Sequence, residues 1–316
     1  MNTGSRVTLV TGAAGFAGSH LVELLSGRGE LVGWSRSDPS VPLSGLATWQ
    51  RIDLLDRDRV RAAIADLKPS AIYHCAGAAH VAHSWNNATD SLSSNVLATH
   101  YLLDAVRRAN IPCRVLIPGS AMVYAPSGTP ITEDHPVAPD SPYALSKLAQ
   151  EQLGLRAVSE DGVTVIVTRS FNHTGPRQSP DFAAPAMARQ IALIESGRLE
   201  PLIKVGNLEA HRDLTDVRDT VRAYALLMEH GVGGVVYNIA TGIGRPIRTL
   251  LEALVARSRA VVRIQTDEAL LRPLDRPFLI GDASRLRLLT GWVPTIDFDR
   301  MLDDLLKYWR ETVQQG

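Results

Sequence analysis

Residues 7–18 read VTLVTGAAGFAG, and this stretch decides the fold of the chain. An apolar strand runs straight into a turn with three glycines, and residues 19–25 continue in the pattern of a helix. In a strand–turn–helix unit these glycines allow a tight turn, the close approach of a pyrophosphate and close packing of helix on strand. A glycine-rich turn that binds nothing is the alternative, which the register of strand, turn, helix and second strand disfavours. We therefore predict a dinucleotide site that includes Gly12, Gly15, Phe16, Ala17 and Gly18.

The end of the next strand-like segment indicates which dinucleotide binds. Enzymes that use NAD usually place an acidic residue there for the ribose 2′-hydroxyl, whereas this sequence has Ser35 and Arg36. A carboxylate would repel a 2′-phosphate, but a guanidinium beside a hydroxyl binds it through charge-assisted hydrogen bonds. NADP(H) is therefore the predicted cofactor, and NAD(H) is the alternative. Two other interpretations stay open: Arg36 points to water, or Asp38 is the ribose acid in a shifted register.

Three further residues are predicted to lie along the cofactor. Asp53 follows a strand-like run, with Leu54 beside it, where an acid accepts a hydrogen bond from the adenine amino group; a helix-capping role is the equal alternative. Ala76, among small residues after another strand, leaves room for the cofactor across the strand ends. His80 and His83 suggest a metal site, but no third ligand is identifiable, so no metal is predicted.

Short apolar runs alternate with helix-length segments through the first half of the chain. The strand-like runs are 7–10, 31–34, 71–75, 115–117 and 163–168. This alternation is typical of an α/β fold with a doubly wound parallel sheet, a Rossmann fold, that carries helices on both faces.

A loop at residues 172–180, rich in turn-forming and polar residues, predicts the start of a smaller substrate-binding domain. An apolar run at residues 235–239 then predicts a strand that returns to the sheet. We therefore assign residues 1–171 and 211–242 to the Rossmann domain, and residues 172–210 and 243–316 to the smaller, sugar-nucleotide-binding domain.

Composition excludes several classes of partner. The chain has 316 residues, 45% of them hydrophobic, and 33 basic residues balance 33 acidic ones. Such a chain buries a large core and has no net field that would favour nucleic acid or an anionic membrane. Two cysteines, Cys75 and Cys113, form no disulfide framework, which predicts a cytoplasmic protein. No apolar run is long enough to predict a membrane span.

A hydroxyl, a phenol and an ammonium group follow at spacings that suit proton transfer. Tyr143 and Lys147 are four residues apart, so on a helix both side chains project from one face. The ammonium is expected to stabilise the phenolate and lower the pKa of Tyr143. Ser120 ends a strand at the sheet edge where open sheets bind ligands, and there it hydrogen-bonds the substrate oxygen that Tyr143 serves. These three residues predict an active site in which a proton moves while the cofactor moves a hydride.

The chain resembles the extended short-chain dehydrogenase/reductase superfamily over nearly its whole length. Within it, the chain is most similar to the branch that contains GDP-mannose 4,6-dehydratases and GDP-4-keto-6-deoxymannose reductases. The stretches that carry the resemblance are RSFNHTGP at 169–176, VGNLEAHRDLTD at 205–216, RP at 272–273, GD at 281–282 and TGW at 290–292.

The resemblance implies roles for individual residues. Ser120, Tyr143 and Lys147 form its catalytic set, and Tyr143 and Lys147 also lie against the cofactor, with Lys147 on the nicotinamide ribose. Asn95 matches a helix asparagine near the catalytic lysine, with capping as the alternative. The predicted substrate-binding residues are Asn172, Arg177, Arg212 and Arg272, of which the last two arginines hold the diphosphate of a sugar nucleotide. Without the resemblance, ion pairs of these two arginines with Asp216 or Asp275 would be the simpler interpretation.

One departure from the family pattern separates its activities. Dehydratases of this branch carry a glutamate two positions after the catalytic serine or threonine, where this chain has Met122. A thioether is not a general base, so the sequence disfavours dehydration. The predicted function is NADPH-dependent reduction of the C4 ketone of a nucleotide-linked 4-keto-6-deoxyhexose, with a GDP-linked sugar favoured by resemblance.

Two other functions are alternatives to reduction, and the sequence also predicts a homodimer. A nucleotide-sugar 4-epimerase would use the same three residues with tightly bound NAD. A non-catalytic dinucleotide-sensing module would keep the fold without the chemistry. Segments at 92–109 and 143–159 resemble the helices through which this superfamily dimerises, so a homodimer is expected; apolar Leu145, Leu148, Leu153 and Leu155 serve either that contact or the core.

Overall fold

The computed structural model describes residues 6–39, 41–270 and 276–315. The strands in this part of the chain are β1 (Val7–Thr11), β2 (Glu30–Ser35), β3 (Thr48–Arg51), β4 (Ala71–His74), β5 (Arg114–Ser120), β6 (Thr164–Ser170), β7 (Asn172–Thr174), β8 (Leu202–Val205), β9 (His211–Asp216), β10 (Val236–Ile239), β11 (Gly244–Pro246), β12 (Arg263–Thr266) and β13 (Phe278–Leu279).

The α-helices of the same residues are α1 (Phe16–Leu25), α2 (Val41–Ser44), α3 (Arg57–Leu67), α4 (Val81–Asn86), α5 (Ala88–Leu92), α6 (Ala98–Ala109), α7 (Pro142–Asp161), α8 (Ala183–Glu195), α9 (Val217–His230), α10 (Ile247–Ala256), α11 (Ser284–Thr290) and α12 (Phe298–Gln315). A π-helical turn at Ser93–Leu97 joins α5 to α6, and short 3-10 turns lie at Ala121–Val123 and Glu268–Leu270. None of the described helices is both long enough and apolar enough to cross a membrane.

The main sheet has seven strands in the order β3-β2-β1-β4-β5-β6-β10. Every neighbouring pair in it is parallel. The chain reverses its direction of winding between β1 and β4, and in open α/β sheets this reversal opens a crevice at the carboxyl ends of the strands. The predicted doubly wound parallel sheet is confirmed, and the predicted strand at 235–239 does return to it as β10, beside β6.

Apolar residues on both faces of the sheet explain why its strands read as continuous apolar runs. Within β1, Leu9 packs into the core on one face and Val10 into the core on the other. In β5, Val115 and Leu116 divide in the same way. Because successive side chains of a strand point to opposite faces, a strand covered by helices on both sides has no polar positions to alternate with.

The helices that cover the two faces come from different parts of the chain. On one face, α3, α6 and α7 contribute buried residues such as Ile64, Leu102 and Ala157. On the other face, α1 and α9 supply Leu21 and Leu227. The carboxyl ends of the strands are left uncovered by these packed faces, which is where the predicted site residues fall.

A third core lies away from the main sheet and is built from β8, α8, α10 and α12. Its buried members include Ile191, Ile203, Leu251 and Leu305, all within the segments assigned from sequence to the smaller domain. α11 and Trp292, although also in those segments, pack with the core of the main sheet. The domain boundaries therefore stay a prediction.

Candidate active site

Ser120 and the start of α7 bring the predicted chemical groups together. Ser120 is the last residue of β5. Helix α7 begins one residue before Tyr143, with Ser141 as its N-cap and Pro142 at its first position. The Ser141 hydroxyl accepts from the amide of Ala144, and proline suits a first helical position because the amide it lacks would have no helical acceptor. Tyr143 and Lys147 consequently sit one turn apart on the same helix, near the end of β5.

The hydroxyl of Ser120 is held between the backbone and Tyr143. Its oxygen accepts a hydrogen bond from the amide of Met122 at 3.2 Å. Burial raises the pKa of Tyr143, and a hydrogen bond with Ser120 partly opposes that rise. The structure therefore corrects the expectation that Lys147 lowers the pKa of Tyr143: the phenol is protonated at neutral pH, and Ser120 is the group that moderates it.

Lys147 is turned towards the protein instead of towards the phenol. Its ammonium donates to the carbonyl of Pro118 at 2.6 Å and to the side-chain oxygen of Gln150 at 2.5 Å. Burial lowers its pKa to about 8, and the nearby Cys75 thiol opposes this effect. Burial likewise raises the pKa of Cys75 to about 12, so this thiol is unreactive at neutral pH.

A cavity of about 910 Å³ adjoins this set at the carboxyl ends of the strands. Seven of the predicted cofactor residues line it: Gly12, Gly15, Ser35, Arg36, Asp53, Leu54 and Ala76. Cys75 also lines the cavity, and its thiol interacts electrostatically with Lys147, which links the cavity to the predicted catalytic set. Tyr143 and Lys147 are not among the described residues that line it.

The glycine turn leaves space that only glycine permits. Gly12 has a φ of +64°, and a Cβ added there would lie 2.6 Å from the amide nitrogen of Ala76. A Cβ on Gly18 would collide with the carbonyl of Gly12, because α1 packs directly on the turn. The first amides of α1, from Phe16 and Ala17, have no acceptor within the helix and suit an anion. These residues fit the pyrophosphate of a dinucleotide.

The two candidates for ribose recognition differ in their position relative to the cavity. Arg36 is exposed and lines the cavity, whereas Asp38 is not among the described lining residues. The Ser35 hydroxyl donates to the carbonyl of Ser37, which tightens the turn after β2. An exposed guanidinium at the rim of the cavity suits a phosphate on the adenine ribose.

Asp53 and Asp56 divide the two roles that the sequence left open. The side chain of Asp56 caps α3 by accepting from the amide of Arg59 at 3.0 Å. Asp53 accepts from the amide of Leu55 at 3.0 Å and lines the cavity. Helix capping therefore falls to Asp56, and Asp53 stays available along the predicted adenine site.

Asn95 lies in the π-helical turn and is fully buried. Its amide group donates to the carbonyl of Ala78 and to Ser146 at 2.9 Å, and its oxygen accepts from the amide of Ala78. Asn95 thus ties the loop after β4 to the catalytic helix α7 and is not a helix cap. π-Helical turns of this kind are common at functional sites because they redirect side chains.

The rings of His80 and His83 contact each other in a tilted arrangement, with centroids 4.8 Å apart, and His80 stacks on Phe182 at 4.5 Å. Both histidines line the cavity. Within residues 6–39, 41–270 and 276–315, no group of three or more His, Cys, Asp or Glu side chains is arranged to hold a metal ion.

The predicted substrate residues are not gathered into one cluster. Asn172 is exposed at the start of β7, directly after β6. Arg212 donates to the carbonyls of His211 and Arg276. Arg177 makes a two-fold contact with Glu23 of α1, at 2.6 and 2.7 Å. Arg272 lies outside the described residues, so the roles of these four residues stay predictions.

Arg276 is a buried residue near the site that sequence reasoning missed. Its guanidinium pairs with Asp140 at 2.7 Å and donates to the carbonyls of Met122 and Tyr124. It therefore braces the turn that follows Ser120 from a segment far along the chain. No local pattern signals this role, because the partners are 136 to 154 residues away in sequence.

Comparison with known proteins shows the family to which the chain belongs. The sequence pattern of the family described as GDP-mannose 4,6 dehydratase matches residues 9–305. A GDP-6-deoxy-D-mannose reductase from Pseudomonas aeruginosa is 34% identical over 309 residues, which are 97% of this chain and 98% of that protein.

Two solved structures show how little the fold alone discriminates. RMD from Pseudomonas aeruginosa, complexed with NADPH, has a TM-score of 0.85 at 32% identity and covers 97% of this chain and 99% of its own. A UDP-glucose 4-epimerase from Thermus thermophilus, complexed with NAD, has a TM-score of 0.85 at 26% identity, over 96% and 99%. With its glycine turn, its Ser120–Tyr143–Lys147 set and these matches, the chain belongs to the GDP-mannose 4,6 dehydratase family, in the nucleotide-sugar branch of the extended short-chain dehydrogenase/reductase superfamily.

Proposed function

We propose that this protein is an NADPH-dependent nucleotide-sugar 4-ketoreductase, and that its substrate is GDP-4-keto-6-deoxymannose. The 34% identity with a GDP-6-deoxy-D-mannose reductase, over nearly the full length of both chains, supports the substrate class. The similarity to a structure complexed with NADPH supports the cofactor.

The observation that carries reduction over dehydration is the turn after Ser120. Met122 occupies the position where dehydratases of the branch carry a glutamate, and its own amide fixes the Ser120 hydroxyl. Arg276 holds the Met122 carbonyl from the other side. The thioether of Met122 takes no proton from carbon, so the site keeps hydride and proton transfer to a ketone and lacks the base for eliminating a hydroxyl.

The protein groups divide the remaining work of the reaction. NADPH, when bound by the glycine turn and Arg36, supplies the hydride to C4. The phenol of Tyr143 is protonated at neutral pH because burial raises its pKa, so it gives its proton to the ketone oxygen as that oxygen becomes basic. Ser120 orients the same oxygen through its hydroxyl hydrogen. Lys147, one helical turn from Tyr143 on α7, carries a positive charge that favours the phenolate left by proton transfer.

The function is tested by following NADPH absorbance with purified protein and GDP-4-keto-6-deoxymannose. We expect oxidation of one NADPH per ketone reduced and a GDP-6-deoxyhexose product. If NADPH is not consumed while the substrate is bound, the reductase proposal is wrong.

A nucleotide-sugar 4-epimerase is the second candidate, since an NAD-bound epimerase matches the fold with the same TM-score of 0.85. An epimerase retains NAD through a cycle without net turnover, so the cofactor released on denaturation distinguishes the two. NAD in one-to-one amount would favour the epimerase. A dinucleotide-sensing module would bind cofactor and turn over neither substrate.

Arg36 provides a prediction about cofactor choice. In Arg36→Ala we expect KM for NADPH to rise about ten- to hundredfold, because a charge-assisted contact to the 2′-phosphate is lost, while KM for NADH changes little. Steady-state kinetics with both cofactors measure this. The matched control is Arg263→Ala, an exposed arginine in β12, where both constants should stay at wild-type values. Equal losses for NADPH and NADH would contradict a 2′-phosphate role.

We also propose a homodimer in the cytoplasm. Four exposed apolar residues lie on neighbouring elements α4, α5, the π-helical turn and α7: Trp85, Leu92, Leu97 and Leu145. Leu153 and Leu155, by contrast, pack against the core. Light scattering should give twice the chain mass of 34.3 kDa, and Leu145→Arg should reduce it to one chain.

Cys75 and Cys113, which are both thiols, fit a reducing compartment.

A further inference from the structure

A chain of buried polar side chains runs from the catalytic lysine to the first strand of the sheet. The Lys147 ammonium donates to Gln150 at 2.5 Å, and the Gln150 amide group donates to Thr99 at 2.8 Å. One ring nitrogen of His74 lies 2.8 Å from the Thr99 hydroxyl, and the other lies 2.8 Å from the hydroxyl of Thr11. This series of hydrogen bonds links α7, α6, β4 and β1.

The direction of every hydrogen bond in this chain is fixed by counting hydrogens. Thr99 has one hydroxyl hydrogen and donates it to the carbonyl of Asn95 at 2.6 Å. It must therefore accept from both Gln150 and His74, which places the His74 hydrogen on Nε2. Nδ1 of His74 then accepts from Thr11. Burial, aided by the charge of Lys147, lowers the pKa of His74 to about 3, so this histidine is neutral, as the pattern requires.

The same count fixes the orientation of Gln150. A reversed side-chain amide would set its NH₂ against the ammonium of Lys147 and leave no donor for Thr99. Thr11, Thr99 and Gln150 are each 0% exposed, so water does not replace a lost partner. A buried network in which every group is satisfied holds one geometry, since any local rearrangement leaves a buried polar atom unpaired.

Lys147 has three ammonium hydrogens, and the protein takes two of them. One goes to the carbonyl of Pro118 in β5, and one goes to the side-chain oxygen of Gln150 in α7. These two acceptors set the direction of the third hydrogen, which is the one available to a group bound at the site. Gln150 is the side chain of this pair and therefore the one that substitution can remove.

We infer that Gln150 is a positioning residue for Lys147, held in its working orientation by Thr99 and the neutral His74. The inference deepens the proposed function, on which it rests for the catalytic role of Lys147. No substrate contact is assigned to Gln150 itself. Its effect passes through the position and the charge of the ammonium.

The titration of Lys147 reports on its contact with Gln150, and the other charged and titratable groups around the ammonium can be named. Cys75 and His74 face it from β4 and the following loop, and Tyr143 lies one turn earlier on α7. Glu151, also on α7, is already paired with Arg169 of β6. Gln150 is thus a neutral side chain in contact with Lys147, and replacing it changes the pKa of Lys147 without breaking an ion pair.

The first test measures the titration of Lys147 directly and needs neither cofactor nor substrate. The sequence has only four lysines, and the other three, Lys68, Lys204 and Lys307, are exposed. In protein labelled with [ε-¹³C]lysine, the Lys147 signal is therefore the one that titrates well below the rest. We expect its midpoint to fall by about one pH unit in Gln150→Leu, which removes an acceptor from the charged form, and to rise by about one unit or more in Gln150→Glu.

The second test measures turnover. Gln150→Leu should lower kcat about tenfold with little change in KM for the sugar nucleotide, and Gln150→Glu, which keeps an acceptor for Lys147, should recover part of that loss. Gln190→Leu, on α8, is the matched control and should change neither the titration nor kcat. If Gln150→Leu does not fold, the Gln150→Glu midpoint decides.

The outcomes are separable. A Lys147 midpoint that stays at its wild-type value in the variants, or a kcat of Gln150→Leu equal to wild type in folded protein, overturns the inference. If wild-type protein consumes no NADPH but the midpoint moves as expected, the proposed function fails and the contact of Gln150 with Lys147 stands.

Discussion

Replacing Tyr143 with phenylalanine is expected to lower kcat by about 10²- to 10⁴-fold while leaving NADPH binding nearly unchanged. The substitution removes only the hydroxyl that hydrogen-bonds with Ser120 and that, on the proposed mechanism, protonates the ketone oxygen. Phenylalanine keeps the ring in its pocket, so the cofactor cavity and the start of α7 stay intact. The loss is measured as the rate of NADPH oxidation at saturating substrate, with NADPH affinity determined separately by calorimetry.

Tyr237→Phe is the matched control for this prediction. Tyr237 is a buried tyrosine of β10, 2% exposed, whose hydroxyl accepts from the amide of Val232 at 3.1 Å. It loses one hydrogen bond, as Tyr143→Phe does, but touches none of the three catalytic side chains. We expect wild-type kcat from it. Equal rates for Tyr143→Phe and wild type would refute proton donation by Tyr143.

The second large effect is expected on stability, in Glu151→Ala. Glu151 and Arg169 form a two-fold ion pair, at 2.6 and 2.9 Å, with side chains 1% and 8% exposed. Removing the carboxylate leaves the Arg169 guanidinium buried against Tyr124 and the carbonyl of Glu133, without the negative charge that balanced it. Breaking one side of a buried pair costs about 3–5 kcal/mol of unfolding free energy. Urea unfolding followed by circular dichroism measures the loss.

Glu160→Ala tests the same change on the same helix in a different environment. Glu160 pairs with Arg156 at 2.8 Å, but its side chain is 61% exposed. Because water and salt screen such a pair, its loss should cost far less stability than the loss of Glu151. A similar loss of stability in both variants would mean that burial does not govern the Glu151–Arg169 pair.

Several conclusions required only the order of residues. The run at 7–18 predicted the first strand, the turn and α1. Its glycines are needed locally, because side chains at these positions would clash in the tight turn and where the helix packs on the strand. The alternation of apolar runs predicted the doubly wound sheet and the return of β10. Tyr143 and Lys147 share a helix face because their spacing matches a helical turn. Set against the pattern of the family that the chain resembles, Met122 favoured reduction over dehydration, because a thioether is not a general base.

Other features depended on contacts between distant segments. Arg177 was predicted to bind substrate, yet in the folded chain its guanidinium meets Glu23 of α1. The pKa of Tyr143 was expected to fall beside Lys147, but burial raises it, and Lys147 is drawn to Pro118 and Gln150. Burial and pairing of a charge depend on what the whole fold packs around it, which spacing along one helix does not contain.

The sequence by itself therefore determined the fold class and predicted the glycine turn as a dinucleotide site, because both depend on local sterics and periodicity. It also predicted Ser120, Tyr143 and Lys147 as the chemical set, from their residue types, their spacing and the family resemblance. Only the tertiary structure decided how those groups are held: Arg276 against the turn of Met122, Asn95 against Ser146, and Gln150, Thr99 and His74 behind Lys147. The physical reason is that a buried polar atom must find its partner wherever the fold brings one, and these partners come from strands and helices far apart in the chain.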